Sequence, residues 1–590
     1  EKLKIIDSWP FIYWISDEFR EKFNLQNFGQ FLKAKKGLGT DNLRFFRFWW
    51  EIDKEDISTY YIDDRKKWVG YVKGGPYNKW YGNLWLLLNW ENDGKEILDD
   101  KKSLNLRNPD TYFKRGIACS LLSSKGTSFR IQPENFIYDS TTRSIFLEEN
   151  AIYSLEIFLA LLNSKTVSYI LNCLNATVAT NSDDIHRIPI PILSKELQSL
   201  IELVVNQNIL VKKEICSHSI IELNFEKSFL NSTRNGLSIE LIRNLNEENK
   251  NNTLILLNEA LLDYKLYQVF DLTDIDLNKV ENKMGKSIGS LPILEIAQKE
   301  FLTGLENPIK EVVDYILGLE STTFEDDFVK GIKDGFKTLY KSNNDLEEFC
   351  IRHQVNPINV WYWFKEANIL PMGKAKEIAL EFVTDHIRTL LGQDDDGIIP
   401  LYQQALETRL LDRLVAHLHE QGFTAAQIAE LDTLLGKPLE KYLEDNFFED
   451  LANHLNLFMY LPKTPFIWHL SSGKYKAFEV YTSIYQWNRD SIFKLKSVYV
   501  AKRREQLGLR KSDLRDAESA AAQAEKELIF HQESELDAFE AKLDELIAEN
   551  YNPVLDSGVA KNIAPLQKKG MIKAEILKPA QLTKYLNADW

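Results

Sequence analysis

The chain is poor in the residues that build disulfide and cysteine–zinc frameworks. Its 590 residues include four cysteines, Cys119, Cys173, Cys216 and Cys350, which lie far apart and form no C-x-x-C pair. That spacing excludes a cysteine-based zinc site and a disulfide scaffold, and it is typical of proteins from a reducing compartment. The nine histidines are scattered and form no H-E-x-x-H motif, which excludes the helix of the common zinc proteases.

The sequence also lacks a long apolar run. No stretch reaches the ~18 consecutive apolar residues of a membrane-spanning helix. The first residues, EKLKIID, do not show the basic-then-apolar pattern of a signal peptide. We therefore expect a cytoplasmic protein with no membrane partner. Because the chain begins without Met, we also expect it to be a fragment or a trimmed form of a longer protein.

Catalytic and cofactor-binding motifs are missing as well. Gly285-Lys286-Ser287 resembles the end of a phosphate-binding loop, but Val280 stands where that loop requires its first glycine. Amino-methyltransferases that act on nucleobases carry an Asn/Asp-Pro-Pro-aromatic loop, and no Asn-Pro pair in this chain is followed by a second proline. No glycine-rich turn for a nucleoside cofactor is present. We therefore expect no catalytic site, metal or cofactor in this chain.

Negative charge is in excess, but it is unevenly distributed. The net charge is −15, from 72 Lys and Arg against 87 Asp and Glu. A chain of this charge is not a nonspecific nucleic-acid coat, since such proteins are normally basic. Lysines and arginines nevertheless concentrate between residues 33 and 79. The sequence is therefore compatible with one basic surface on an acidic protein.

Length and pattern predict an α+β, multi-domain chain. At about 150 residues per domain we expect four domains, with boundaries at 1–195, 196–345, 346–500 and 501–590. In the first, β-containing domain, the runs FFRFWW, STYYI, WVGYV and LWLLLNW are rich in aromatic and β-branched residues and predict strands joined by tight turns. Ser16 is the predicted N-cap of an entry helix. The later domains are predicted to be mostly helical.

Two later stretches carry distinct patterns. The polar stretch RNLNEENKNNT, 243–253, has the composition of an exposed loop or linker. A heptad spacing of apolar residues follows near the C-terminus, at Leu507, Leu514, Ala521 and Leu528, and again at Leu536 and Leu543. It predicts a long C-terminal helical pair, folded as a hairpin, that either zips onto a partner or packs within the chain.

The most unusual stretch is KGGPYNKWYGNLWLLLNWENDG, residues 73–94. Lysines interleaved with Trp and Tyr suit contact with DNA, because amines meet phosphates and rings stack on bases. Asn78, Asn83 and Asn89 offer paired donors and acceptors that can read adenine edges. Residues 85–90 are instead typical of a buried strand. Composition leaves both interpretations open for Lys73, Lys79, Trp80 and Tyr81.

Several long strings, in order along the chain, resemble the PglX family, the adenine-specific DNA methyltransferases of BREX phage-defence systems. They are GLGTDNLRFFRFWW, KGGPYNKWYGN, LALLNSKTVSYILNCLNATVATNSDDIHRIPIPIL, INVWYWFKEANILP, FIWHLSSGKYKAFEVYTSIYQWNRD and the tail NIAPLQKKGMIKAEILKPAQLTKYLNADW. The likeness covers nearly the whole chain. It does not include the family's amino-terminal Rossmann-like domain, which holds the cofactor pocket and the Asn-Pro-Pro-Tyr loop.

The resemblance implies that the chain is the DNA-recognition and scaffold portion of a site-specific adenine-N6 methyltransferase. It implies double-stranded DNA as a partner and S-adenosylmethionine as the cofactor of the missing catalytic domain. Other BREX proteins or a separate catalytic domain are further expected partners, and enzymatic activity of this chain is left open. The candidates for DNA contact are Arg44, Arg47, Arg65, Lys66, Lys67, Lys73, Asn78, Lys79, Trp80, Tyr81, Lys114, Arg115 and Arg130.

Other functions are compatible with the sequence. The acidic, helical region from residue 196 onward is suited to docking proteins, as a non-catalytic scaffold of the defence complex. The chain also resembles the specificity part of restriction–modification enzymes. A nuclease needs clustered carboxylates, often beside a Lys, to hold magnesium. The acidic stretches 326–334 and 393–397 lack a strand-borne carboxylate-x-Lys arrangement, so the nuclease hypothesis is the weakest.

Overall fold

The computed structural model describes residues 15–40, 44–100, 106–121, 126–175, 177, 179–339, 345–403 and 407–590. The chain forms two compact units, each assembled from three sequence segments. Unit 1 comprises Glu1–Phe46, Asp56–Lys227 and Leu241–Lys374, and unit 2 comprises Arg47–Glu55, Ser228–Glu240 and Ala375–Trp590. The four domain boundaries drawn from the sequence stay a prediction.

Two four-stranded sheets are described in the N-terminal third of the chain. Their strands are β1 (Leu32–Lys36), β2 (Phe46–Phe48), β3 (Trp68–Val72), β4 (Leu86–Asn89), β5 (Gly116–Ser120), β6 (Phe129–Gln132), β7 (Phe136–Tyr138) and β8 (Thr142–Leu147). The first sheet has the order β1–β8–β5–β6 and is antiparallel. The second has the order β2–β4–β3–β7, in which β3 and β7 run parallel.

Three of the four predicted strand runs contain strands, and STYYI does not. A helical turn begins at Tyr61 instead. The Asp64 carboxylate accepts the backbone N–H groups of Thr59 and Tyr60, at 2.9 and 3.2 Å. These hydrogen bonds close a turn. They occupy backbone N–H groups that a strand would donate to a neighbouring strand.

Alternation along the first sheet separates an apolar row from a polar one. Ala34, Ile145, Ile117 and Ile131 lie opposite one another across the four strands. The next row, on the other face, consists of Lys35, Ser144, Ala118 and Arg130. Since side chains alternate between faces along a strand, Arg130 points away from the apolar row.

Helices lie before, between and after these strands in the sequence and add to the apolar core of unit 1. They are α1 (Asp17–Glu21), α2 (Tyr61–Asp64), α3 (Glu91–Asp99), α4 (Leu155–Asn163), α5 (Lys165–Leu174), α6 (Ser182–His186), α7 (Lys195–Ser217), α8 (Leu237–Val269), α9 (Asp274–Met284), α10 (Glu295–Thr303), α11 (Lys310–Leu317), α12 (Asp326–Gly335), α13 (Asp345–His353) and α14 (Pro357–Ala367). Ser16 caps α1 as predicted, since its hydroxyl accepts the Phe19 N–H at 2.9 Å. Residues of α4, α5, α7 and α8 share one buried cluster with Ile117 and Ile145 of the first sheet.

The predicted loop at 243–253 was wrong, because the whole stretch lies inside the 33-residue helix α8. One side of this helix is buried at every fourth residue, through Leu245, Asn249 and Thr253. The Asn-rich composition imitates a linker, but apolar residues recur at helical spacing on both sides of it. Tertiary packing of this side outweighs the low helix propensity of asparagine.

No single helix in the described ranges is both long and apolar enough to cross a bilayer. The helices α4 and α5 reach the required length and composition only as a pair, and the pair is bent by 69°. Nearly all residues of both helices are buried within unit 1. The cytoplasmic location stays a prediction.

Unit 2 contains one small sheet among helices. Its strands β9 (Ile398–Pro400), β10 (Ile467–Ser471) and β11 (Glu479–Ser483) pair antiparallel in the order β10–β11–β9. Its helices are α15 (Met372–Gln393), whose first turn belongs to unit 1, α16 (Leu410–Glu420), α17 (Ala425–Leu435), α18 (Leu439–Asp445), α19 (Phe447–His454), α20 (Arg489–Lys494), α21 (Ala501–Asp513), α22 (Ala520–Ala548), α23 (Val559–Lys568) and α24 (Pro579–Leu586). Two sheets in the N-terminal region and a mainly helical remainder confirm the predicted α+β class.

The predicted C-terminal helical pair is α21 and α22, which form an antiparallel hairpin. Arg504 binds Glu540 at 2.9 Å, and Arg510 binds Glu525 at 2.6 Å. The partners run in opposite directions along the two helices, as a hairpin requires. The pair therefore packs within the chain, which is one of the two alternatives that the heptad spacing left open.

The heptad register shifts by one residue between the two helices. Leu507 and Leu514 are buried as expected, but Leu528 is 43% exposed. In α22 the buried heptad consists of Ala522, Ile529, Leu536 and Leu543. The residues between Asp513 and Ala520 are not α-helical, so the phase of the helix is set anew at Ala520.

Truncation of the buried heptad should destabilise unit 2 far more than truncation of the exposed position on the same helix. We expect Leu536→Ala to lower the free energy of unfolding by about 2–5 kcal/mol, because Leu536 is fully buried. Leu528→Ala should change it by less than about 0.5 kcal/mol. Urea unfolding followed by circular dichroism measures both. Equal losses in the two variants would contradict the assigned register.

A buried histidine pair should make unit 2 less stable in acid. His417 Nε2 lies 3.1 Å from His386 Nδ1, and burial together with His417 lowers the pKa of His386 from 6.5 to about 4. Between pH 6.5 and pH 4 the unfolded chain binds more protons than the folded chain does. The contribution of His386 to stability is therefore fully present above pH 6.5 and is lost as the pH falls toward 4. We expect a loss of roughly 3 kcal/mol. Urea unfolding midpoints measured at several pH values should show this loss. His386→Leu should make the midpoint depend less on pH. Equal pH dependence in the wild type and the variant would contradict the assignment.

Candidate nucleic-acid interface

Residues 73–94 lie mainly in the interior of unit 1. Strand β4 is buried along its whole length, as the sequence predicts for this run. The Trp85 indole Nε1 donates to Glu222 at 2.8 Å, and the same carboxylate accepts the backbone N–H groups of Asn83 and Leu84 at 3.1 Å. One buried carboxylate thus anchors the entry to β4.

Lys73 is the cation of a buried ion pair. Its Nζ lies 2.9 Å from Asp139 Oδ2, and the side chains of Lys73 and Asp139 are 7% and 3% exposed. The Tyr71 hydroxyl donates to the same carboxylate oxygen at 2.8 Å. Asp139 therefore neutralises Lys73 and fixes the end of β3. This ammonium group is not available to a phosphate without breaking the pair.

Lys79 and Trp80 both bind Glu259 on α8. Lys79 Nζ donates to Glu259 Oε2 at 2.6 Å, and the Trp80 Nε1 donates to Oε1 at 2.7 Å. Trp80 is 1% exposed. Burial alone lowers the pKa of Lys79, but the Glu259 carboxylate outweighs it and holds that pKa well above its ordinary value. The Lys-Trp pair is thus docked onto α8 as a fully charged, structural contact.

Asn78 and Tyr81 close the turn between Lys79 and β4. Asn78 Nδ2 donates to the Tyr81 carbonyl at 3.1 Å and to Asn83 Oδ1 at 3.2 Å. Asn78 and Asn83 are buried, as is the Tyr81 ring. These contacts favour the structural alternative that composition left open for Lys73, Lys79, Trp80 and Tyr81.

Arg130 and Arg47 are interior as well. Arg130, on β6, is fully buried, and its Nη2 donates to the Lys73 carbonyl at 3.1 Å. Burial lowers the pKa of Arg130 to about 10. Arg47 belongs to unit 2, where its Nη2 donates to the Asp556 carbonyl at 2.8 Å. The structure therefore places neither guanidinium on the surface of unit 1.

The other cationic candidates reach the surface, most of them in ion pairs with acids. Arg44 binds Glu96 at 2.7 Å, Arg65 binds Asp93 at 2.9 Å, Lys67 lies 3.7 Å from Glu91, and Arg115 binds Glu156 at 2.7 Å. For Lys66 and Lys114 the described residues supply no ion-pair partner. Surface pairs of this kind are weak, typically below about 1 kcal/mol, so phosphates can compete for these cations.

Two aromatic rings from distant parts of the sequence stack beside the turn that carries Arg65 and Lys66, and Lys114 is the chain neighbour of one of them. The Arg65 guanidinium lies over the Tyr61 ring at 5.1 Å, and the Tyr61 ring stacks on Phe113 with centroids 5.1 Å apart. Lys114 follows Phe113 directly. We refer to Tyr61, Arg65, Lys66, Phe113 and Lys114 as the aromatic–basic patch.

Two residues of the patch adopt left-handed backbone conformations. The φ angles are +51° at Arg65 and +63° at Phe113. For side chains with a Cβ this costs on the order of 1–3 kcal/mol, and such strain concentrates where a protein places functional groups. Tyr61 and Phe113 were not named from the sequence as candidates for DNA contact. The run YFKR at 112–115, in which two aromatic residues precede two cations, was the available signal.

The turn that carries Arg65 and Lys66 is held by Asp64. Its carboxylate accepts backbone N–H groups from Thr59, Tyr60 and Lys66. Slight burial raises the pKa of the Asp64 carboxyl, but these hydrogen bonds together outweigh it and lower the pKa to about 2. The carboxylate is therefore ionised at all ordinary pH values, and the turn keeps its shape.

The two acidic stretches considered for a nuclease serve as helix and loop supports. Asp326 and Asp327 occupy the first turn of α12 in unit 1, where acids suit the helix dipole. In unit 2, Asp394 Oδ1 accepts the Asp396 and Gly397 N–H groups, and its other oxygen binds Arg413 at 2.6 Å. These contacts support ordinary structural roles for the acids.

Two curated proteins are similar to almost the whole chain, and no family model matches it. The adenine-specific methyltransferase BrxX of Escherichia coli O9:H4 (strain HS) is 24% identical over 597 residues. The adenine-specific methyltransferase PglX of Lacticaseibacillus casei (strain Zhang) is 24% identical over 607 residues. Each match covers 95% of this chain and 44% of the relative. The resemblance to the PglX family is thus confirmed as a partial match, and the chain spans less than half the length of these relatives.

Removal of the carboxylate that neutralises Lys73 should destabilise unit 1 strongly. We expect Asp139→Asn to lower the free energy of unfolding by about 3–5 kcal/mol, because a buried ammonium then lacks its counter-charge. Glu91→Gln is the matched control, since it removes the acid of the exposed Lys67 pair and should cost less than about 1 kcal/mol. Urea unfolding measures both changes. Equal, small effects would argue that Lys73 is solvated.

Proposed function

We propose that this chain is the DNA-recognition and scaffold portion of a site-specific adenine-N6 DNA methyltransferase of BREX phage defence. The observation that carries the proposal is the match of 95% of the chain to two adenine-specific methyltransferases of which it covers 44%. The aromatic–basic patch supports double-stranded DNA as the partner, since the exposed Arg65 lies over the buried Tyr61 ring and the exposed Lys114 follows the half-buried Phe113.

The proposal does not place S-adenosylmethionine on the residues that are described. A nucleoside cofactor of this kind usually sits where a strand of a parallel sheet passes through a glycine-rich turn into a helix. Gly74 and Gly75 follow β3, but the next element of the second sheet is β4, not a helix. We therefore assign cofactor binding and methyl transfer to a domain outside this chain.

In the proposed role, the surface cations position the duplex and the patch approaches its grooves. Lys66 and Lys114 contact phosphates, because the described residues offer them no competing carboxylate. Arg65 can exchange the exposed Asp93 for a phosphate or a guanine edge. Lys73, Lys79, Trp80, Asn78 and Arg130 act behind this surface by holding the strands and turns in place.

A second candidate function, docking of other defence proteins, has an observation of its own. The α21–α22 hairpin exposes large apolar side chains, with Leu509 63% and Phe530 65% exposed. Such residues mark interaction surfaces when they lie together, although single ones are common on any protein. Scaffold and DNA-recognition roles are compatible, because they use different units.

The DNA-binding proposal predicts a salt-dependent interaction that the patch lysines control. The full chain should bind a mixed-sequence duplex, and Lys66→Ala/Lys114→Ala should weaken binding and lower the slope of log K against log salt by about 2, since each lost phosphate contact removes about 0.9. Fluorescence anisotropy at several salt concentrations measures this. The intact chain is required, because both units are assembled from interleaved segments.

The matched control is Lys310→Ala/Lys330→Ala, which removes two exposed lysines of unit 1 outside the patch and should leave affinity and slope unchanged. If the patch variant behaves like this control, the patch is not the contact surface. If the wild-type chain does not bind duplex DNA at low salt, DNA recognition fails for this chain and the scaffold role is favoured.

A further inference from the structure

Three potential metal ligands from two helices of unit 2 converge at one point. Glu377 and Glu381 lie four residues apart on α15, and His454 is the last residue of α19. One carboxylate oxygen of each glutamate and one imidazole nitrogen of the histidine all lie within 4.8 Å of one another. Residues at i and i+4 share one side of a helix, so both carboxylates face the same neighbour.

Neighbouring contacts hold α15 and α19 in this arrangement. Lys376 Nζ binds Asp450 Oδ2 at 2.7 Å, and the Tyr442 hydroxyl donates to the same oxygen at 2.9 Å. Asp450 and His454 are themselves four residues apart, so both face α15. The ligand positions are thus set by a contact that involves none of the three ligands.

The donor set is more than a surface cluster of acids. Glu381 is only 6% exposed, and its Oε1 lies 2.7 Å from His454 Nε2. A carboxylate oxygen of Glu377 lies within 4.8 Å of both donor atoms, so three donors from two helices converge on one point. Two carboxylates and an imidazole nitrogen at this spacing form a donor set that one divalent cation can bridge.

We propose that Glu377, Glu381 and His454 form a binding site for a first-row transition-metal ion of the Zn²⁺ class. The imidazole disfavours Mg²⁺ and Ca²⁺, which select oxygen ligands, whereas a mixed nitrogen–oxygen set suits Zn²⁺ and Co²⁺. Ligand bonds of about 2.1 Å place tetrahedral donors roughly 3.4 Å apart. Glu381 Oε1 and His454 Nε2 lie 2.7 Å apart and all three donors lie within 4.8 Å, so metal binding requires side-chain rotation, and the remaining coordination position is left to water.

The site is independent of the proposed DNA-recognition role, and its test reads out binding directly. The untagged full chain, treated with chelator and dialysed, is titrated with Co²⁺ while visible absorption is followed, and Zn²⁺ is then added as a competitor. We expect one equivalent of Co²⁺ to bind, to give d–d bands, and to be displaced by Zn²⁺. Zn²⁺ should also raise the melting temperature, since it binds the folded state.

Variants separate coordination from packing. Glu381→Gln and His454→Asn should each weaken Co²⁺ binding at least tenfold, because loss of even an outer contact to a metal ligand costs 10- to 100-fold. Lys376→Ala breaks the neighbouring ion pair between the same helices but keeps all three ligands, and it should bind within about threefold of wild type. Circular dichroism verifies that each variant is folded.

Several results would overturn the proposal. Absence of stoichiometric Co²⁺ and Zn²⁺ binding in the wild type would do so, as would undiminished binding by His454→Asn, since the other histidines would then be the ligands. Equal losses in Lys376→Ala and His454→Asn would assign the effect to helix packing. If Glu381→Gln does not fold, His454→Asn, at the end of its helix, still decides.

Discussion

Carboxylates supplied by distant elements decide which cations of unit 1 reach its surface. Glu259 on α8 binds both Lys79 and Trp80, and Asp139 after β7 binds Lys73. An unpaired ammonium group inside a protein costs several kcal/mol, so these lysines can be interior only because their partners are there. Residues 73–94 therefore connect strands to helices, and the positive charges of Lys73 and Lys79 are neutralised inside the unit.

The cations that remain outside owe their positions to turns. Asp64 holds the backbone that presents Arg65 and Lys66, and a left-handed residue at Phe113 turns the chain before Lys114. The resulting surface is small and carries mixed charge, which agrees with a chain that is acidic overall. In the proposed role this surface supplies phosphate contacts that position the duplex.

Unit 2 combines a rigid hairpin with a junction of charged helices. In the hairpin, ion pairs such as Arg504–Glu540 lie over a buried heptad that includes Leu536. Between α15 and α19, donor atoms of two carboxylates and an imidazole lie within 4.8 Å of one another. A bound cation is the proposed use of this nitrogen–oxygen donor set.

Much of the architecture could be predicted from local patterns. Alternation and aromatic content located β3 and β4, the hydroxyl of Ser16 predicted the start of α1, and the resemblance strings identified the related methyltransferases. Local composition was misleading where a partner was distant: 243–253 is helical because one side of α8 is buried, and the phase of α22 depends on where the helix starts after the turn.

The sequence by itself determined which residue types were available: a basic, aromatic segment at 73–94, a heptad near the C-terminus, and no motif for a cofactor. Only the tertiary structure decided that Lys73 and Lys79 point inward, that the Tyr61 and Phe113 rings stack, and that His454 faces Glu381. The physical reason is that pairing of charges and stacking of rings depend on distances in space, and residues separated by tens to hundreds of positions carry no local signal of their contact.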